Sequence, residues 1–214
     1  MSTPSPHCLA LGALIQCRPG FEPDAAAELA SRAHAARLVG PVSGAPRSGF
    51  CTLTLAEPLP RDLLQRRLDA SQLVFSRQSF QVVAVLDDLP EGDRLTRLVA
   101  AIAAGGERFC RLLLETPDTN EGKETSGFLR RFEPLLDAAL RDVGLLRPDS
   151  PHLPRLHVFF ANARHVWLGF SAPSDGSAWP MGIPRLRMPK DAPSRSTLKL
   201  AEAFLTLLTP DEQK

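Results

Sequence analysis

The stretch Asp118-Thr-Asn-Glu-Gly-Lys-Glu-Thr-Ser-Gly-Phe-Leu-Arg-Arg-Phe-Glu-Pro-Leu-Leu-Asp-Ala-Ala-Leu-Arg-Asp-Val143 carries the cleanest periodicity in the chain. Phe128, Phe132, Leu135, Leu136, Ala139, Leu140 and Val143 recur every three or four residues, which marks one apolar stripe on a long helix. Asp118 with Glu121 reads as a capping-box-like start, and Gly144 stops the helix. Such a helix is expected to bury Phe132 and Leu136 against a sheet. The neighbouring sequence supplies one. Phe109–Glu115 reads as a strand, and Leu156–Ala161 and Val166–Ser171 read as a hairpin turning through Asn162–Arg164. A second amphipathic helix runs from Glu91 to Ala104 through Leu95, Leu98, Val99 and Ile102, and Gly105-Gly106 ends it. Strands alternating with helices predict an α/β (α+β) unit with mixed strand directions.

Towards the N-terminus the same alternation continues. Leu9–Cys17 reads as a buried strand closed by the turn Arg18-Pro19-Gly20. Glu22 to about Arg37 is a helix with Ala26, Leu29, Ala33 and Ala36 on one side, and its first turn places Glu22 and Asp24 at the positive helix end. Gly40–Ser48 reads as loop, Phe50–Leu55 as a strand and Pro60–Leu68 as a short helix. Leu73–Val85 reads as one or two strands rich in β-branched residues.

Composition narrows the function classes. The 214 residues are 43% apolar, enough for real cores, and carry a formal net charge of +1. Nucleic-acid contact would therefore rest on local patches. Cys8, Cys17, Cys51 and Cys110 lie far apart without metal-ligand spacing, so buried reduced thiols are expected and no metal. His157 and His165 lie on strands without a third ligand and read as structural histidines. The acidic run Asp87, Asp88, Glu91 and Asp93 suits a helix start rather than a cation. Trp167 and Trp179 read as packing residues. The apolar run Cys8–Cys17 is too short for a leader or a membrane anchor, and a cytoplasmic protein is expected.

The segment from Met181 to Phe204 has a different character. Pro184, Pro189 and Pro193 exclude regular structure at its start. Leu198, Ala201, Phe204, Leu205 and Leu208 then recur at helical spacing, with Ser194 or Ser196 as the N-cap. Arg185, Arg187, Lys190, Arg195 and Lys199 are opposed only by Asp191 and Glu202, a cluster suited to phosphates. A solvated linker before a helix would show the same composition.

Several blocks resemble one family in family order over nearly the whole chain. They are Cys17-Arg-Pro-Gly-Phe-Glu22, Phe75-Ser-Arg-Gln78, Asp118-Thr-Asn-Glu121 with Lys123 and Glu124, Ala138-Ala-Leu-Arg-Asp142, His157-Val-Phe-Phe160 and Met181-Gly-Ile-Pro-Arg-Leu186 followed by Asp191 to Leu200. The chain resembles the bacterial 23S rRNA ribose 2′-O-methyltransferase M, which methylates a cytidine with S-adenosylmethionine. That resemblance implies a ferredoxin-like subdomain over 1–80, a THUMP-like RNA-binding domain with a mixed sheet over 81–175, and a basic linker and first helix over 176–214. It implies large-subunit ribosomal RNA as partner, with a monomer expected and no membrane. It further implies that the chain stops before a Rossmann-like catalytic domain. No Pro-Gly-Gly cradle and no glycine-rich turn after a strand occurs in the sequence, so the chain alone is expected to bind no cofactor and to be inactive.

Site residues follow from both readings. Lys123, Arg130 and Arg131 lie off the apolar stripe of the long helix, as a phosphate patch or as a solvated face. Arg77, between Phe75 and Phe80, is a candidate for stacking on unpaired bases, with the phenylalanines as core the plainer reading. Arg185, Arg187, Lys190 and Arg195 complete the expected RNA contacts. By the resemblance alone, Lys199 takes the place of the first lysine of a Lys-Asp-Lys-Glu catalytic tetrad and Ser196 that of a cofactor-touching residue. A stand-alone RNA-binding module and a purely structural domain are the alternatives. The Ser196–Lys199 segment favours the methyltransferase reading over the first, and the near-neutral charge keeps the second open.

Overall fold

The computed structural model describes residues 9–188, 194 and 196–208. These form two compact units, one ending at Gly182 and the other beginning at Ile183. Lys190 and Arg195, two of the expected RNA contacts, and Cys8 lie outside the described residues.

The first unit is one seven-stranded sheet. Its strands are β1 (Leu9–Gln16), β2 (Val42–Ser43), β3 (Phe50–Pro60), β4 (Gln78–Leu86), β5 (Arg111–Glu115), β6 (Arg155–Phe160) and β7 (Val166–Ser171), in the order β2-β3-β1-β4-β7-β6-β5. The helices are α1 (Glu22–Ala35), α2 (Arg61–Arg67), α3 (Arg94–Ala104) and α4 (Asn120–Asp142). Among the strands of the described residues, β5 and β6 pair in parallel and every other named pair is antiparallel, so the expected mixed sheet is present. The first four strands with α1 and α2 follow β-α-β-β-α-β order, with β3 and β4 flanking β1, the ferredoxin-like arrangement.

The register places all four helices on one face. Ala13 opposes Gln81, Gln81 opposes Phe170, and Phe170 opposes Leu156, so these residues point the same way. Ala13 and Ile15 pack with Leu29 of α1 and Leu64 of α2. Phe170 and Leu156 pack with Leu98 of α3 and Phe132, Leu136 and Leu140 of α4. Arg61 joins the two helix pairs, lying over the Phe170 ring at 3.7 Å and pairing with Glu107 at 2.6 Å.

Several sequence expectations change. The loop Gly40–Ser48 contains β2, whose two residues are too few to show alternation. Leu73–Arg77 is not strand: β4 starts at Gln78, and Glu28 bonds the N–H groups of Val74 at 2.7 Å and Phe75 at 3.0 Å in place of a neighbouring strand. Thr119 rather than Asp118 caps α4, its hydroxyl accepting from the Gly122 N–H at 3.0 Å. Of the expected stripe, Leu135 on α4 and Val143 just past its end are exposed, while Leu129 is buried instead. Helix α1 turns Glu22, Ala25, Leu29 and Ala33 inward.

The chain beyond β7 crosses the sheet face opposite the helices. The Gln78 side-chain amide donates to the carbonyls of Ser177 at 3.1 Å and Trp179 at 3.0 Å, and accepts from the Ser177 N–H at 3.0 Å. Arg155 donates to the carbonyls of Pro173, Asp175 and Ser177. Leu14, Phe80, Val82 and Phe159 form the small core on this face.

The second unit contains α5 (Ser196–Leu207). Ser194 Oγ accepts from the Ser196 N–H at 3.2 Å.

Candidate nucleic-acid interface

Two turns and a helix start build a cleft on the first unit, and a buried carboxylate holds the turns. Glu22 is almost wholly enclosed. Its oxygens accept from the Gly20 N–H at 3.1 and 3.0 Å and from the Gly49 N–H at 2.8 Å. Burial works against its charge, but the N–H groups of Gly49, Glu22, Gly20 and Arg47 outweigh it and hold the carboxyl below its ordinary value. One side chain thereby fixes the β1–α1 turn and the turn before β3 against each other. The sequence reading placed Glu22 at the helix N-terminus for its dipole alone and missed this role.

The cleft beside these turns has an accessible volume of about 520 Å³ and is lined by Gly20, Arg47, Asp118, Asn120 and Lys123, among others. Asp118 is paired with Arg77 at 3.0 Å, and Lys123 Nζ donates to Asn120 Oδ1 at 3.1 Å. Arg77 therefore borders the cleft from the coil before β4 and is not in a strand. Of its two phenylalanine neighbours, Phe80 is core: its ring stacks on His157 at 4.7 Å and is 3% exposed. Phe75 instead stacks on the partly exposed Phe21, at 6.1 Å between centroids.

Lys123 and Arg130, about two turns apart on one face of α4, are exposed, as is Arg131 on the next face. In the second unit Arg185 and Arg187 are exposed, and Ser196 and Lys199 are exposed in the first turn of α5.

A buried polar group lies elsewhere. His157 Nδ1 is 2.8 Å from Glu115 Oε2, and His157 Nε2 is 2.9 Å from Ser171 Oγ. The other Glu115 oxygen accepts from the Met181 N–H at 2.5 Å. Glu115 and His157 are fully buried and Ser171 is 3% exposed, so this Ser-His-Glu array is closed to substrates and anchors the crossing segment. His165 lies just before β7 rather than on a strand, and pairs with Asp87 at 2.5 Å. Among the described residues, no group of three or more His, Cys, Asp or Glu is arranged to hold a metal ion, and no helix is long and apolar enough to cross a membrane.

Ser196 and Lys199 present two polar atoms on one helix turn, which is at most one wall of a pocket.

Comparison with known proteins adds the family. Residues 93–172 match the family model described as ribosomal RNA large subunit methyltransferase M, N-terminal, and residues 11–80 match the RlmM ferredoxin-like domain. Both are domains of one methyltransferase family. The chain is 46% identical over 211 residues to ribosomal RNA large subunit methyltransferase M of Thauera aminoaromatica, covering 99% of this chain and 58% of that protein. It is 47% identical over 202 residues to the protein of the same name from Azoarcus sp. strain BH72, covering 94% of this chain and 56% of the relative. The chain thus spans a little over half the length of these relatives. Among solved structures, TrmN from Thermus thermophilus is similar at TM-score 0.44 and 18% identity, over 74% of this chain and 44% of that one, a likeness that adds nothing to the functional reading.

Proposed function

We propose that this chain is the RNA-engaging part of an S-adenosylmethionine-dependent 23S rRNA cytidine 2′-O-ribose methyltransferase, which positions large-subunit RNA for a catalytic domain in the remaining length of the family. The observation that carries the reading is the match of both N-terminal domains to one rRNA methyltransferase family. The exposed cations Lys123, Arg130 and Arg131 on α4 and Arg185 and Arg187 in the linker support it, since clustered cations release counterions on meeting RNA. In this reading a ferredoxin-like subdomain spans 1–80, a THUMP-like RNA-binding domain 81–175, and a basic linker with a first helix 176–214; the first boundary falls inside β4, so the two domains would share one continuous sheet. Lys199 would then be the first lysine of the tetrad, a cation beside a second lysine supplied by the downstream domain; it would disfavour the ammonium form of that second lysine, whose neutral amine would take the 2′-hydroxyl proton.

The test fuses this chain to the downstream domain of the Thauera relative and assays methyl transfer to a 23S rRNA fragment. Lys199→Ala should abolish transfer while RNA affinity changes little. Equal losses in both would make Lys199 a phosphate contact and overturn its catalytic assignment. In the chain alone, charge reversal at Arg185 plus Arg187 should weaken RNA binding more than reversal at Arg37.

A further inference from the structure

We propose that the exposed Arg18–Phe21–Phe75 stack is a platform for an unpaired RNA base, with the adjoining cleft taking a flanking phosphate; this rests on the RNA-binding reading above. The Phe21 and Phe75 rings lie 6.1 Å apart with 29° between their planes, and the Arg18 guanidinium stands 5.7 Å from the Phe21 centroid. Phe75 turns one side to the α1 core, yet Phe21 is 38% exposed and the adjacent Val74 is 82% exposed. A pair serving only to close that core would be covered, as Phe80 and Phe159 are on the other face.

The platform is held rigid from both sides. The Glu28 carboxylate fixes the backbone N–H groups of Val74 and Phe75, and Glu22, next to Phe21, fixes the Gly20 and Gly49 turns. The ring positions are thus set before any ligand arrives, which lowers the ordering cost of binding. Pro19 and Gly20, between Arg18 and Phe21, form one wall of the cleft, and Arg77 reaches its other wall through Asp118.

Charge selects the occupant. Arg18, Arg47, Arg77 and Lys123 border the stack and cleft; of the carboxylates there, Glu22 and Glu28 are engaged by backbone N–H groups and Asp118 by Arg77, which leaves Glu121. A flat aromatic face beside a guanidinium and a cationic cleft fits a base together with its phosphate, since any base offers a π-face. A paired base has both faces covered by its neighbours, so the platform takes loops and bulges in preference to duplex.

The experiment uses the whole chain and two RNA probes, a hairpin with 2-aminopurine in its loop and the same sequence fully paired. The parent should bind the hairpin more tightly and quench its fluorescence. Phe21→Ala and Arg18→Gln should each weaken hairpin binding about tenfold and leave duplex binding within about twofold. Phe21→Trp, which keeps an aromatic face, should retain both the hairpin preference and the quench. Phe21→Leu keeps the apolar contact with Phe75, so it should retain the parent's thermal midpoint while losing the quench. If Phe21→Leu binds and quenches like the parent, the ring is packing only and the platform is overturned. Equal loss of both probes in Phe21→Ala also overturns it. Salt-sensitive binding without preference for the hairpin defeats the platform and leaves the RNA reading standing, whereas no binding to either probe at low salt defeats both.

Discussion

Glu22 shows how one side chain sets the shape of the candidate interface. Its folded pKa lies below the usual 4.5. The stability it contributes is therefore fully present above that value and is lost as pH falls through the lowered one. The thermal midpoint of the parent should drop on acidification below about pH 4.5 more steeply than that of Glu22→Gln. At neutral pH the Gln variant should already be weaker by about 1–3 kcal/mol, because charged acceptance of the Gly20 and Gly49 N–H groups is lost. Burial pushes the Cys17 thiol up to about 11 and the Cys51 thiol up to about 12. Neither has appreciable thiolate at pH 8, so iodoacetamide should label both only after unfolding, as mass spectrometry would report. Gly169 is fixed by contact: a Cβ there would lie 2.1 Å from the Gln81 carbonyl oxygen and 2.4 Å from the Phe80 ring. Gly169→Ala should cost about 1–3 kcal/mol or more in denaturant unfolding and disturb the Phe80–His157 stack.

Helix α4 is the element on which sequence and structure can be compared most sharply. Phe132 is buried against Phe160 and stacks on Phe128 at 5.1 Å, and Leu136 and Leu140 are fully enclosed. Phe132→Ala should therefore cost about 3–5 kcal/mol. Leu135, expected inside by the same periodicity, is 58% exposed, and Leu135→Ala should change stability by no more than about 0.5 kcal/mol. The period of 3.6 identifies the stripe but not its width, which depends on what lies opposite; here the strands β5, β6 and β7 accept Leu129 and leave Leu135 in solvent. Long periodic segments such as α4 and the β6–β7 hairpin were legible for this reason. The two-residue β2 and the Leu73–Arg77 coil were not, because distant partners shape them: Leu53 and Thr52 for β2, Glu28 for the coil. The cleft was half legible. Lys123 and Arg77 stood out as cations, but Arg18, Phe21 and Arg47 converge only once Glu22 ties two turns that lie about 27 residues apart.

At the scale of the whole molecule, four helices cover one sheet face and the segment after β7 crosses the other, so the exposed turns at the α4 N-terminus are the ends of a rigid scaffold. A net charge of +1 leaves no general attraction for RNA, and binding must come from the few cations clustered at the cleft, on α4 and in the linker. That account is tested most directly by titrating a structured 23S rRNA fragment into the chain at several salt concentrations. The logarithm of affinity should fall linearly with the logarithm of salt, with a slope equivalent to roughly two to five phosphate contacts. A flat salt response, or no binding at low salt, would contradict it.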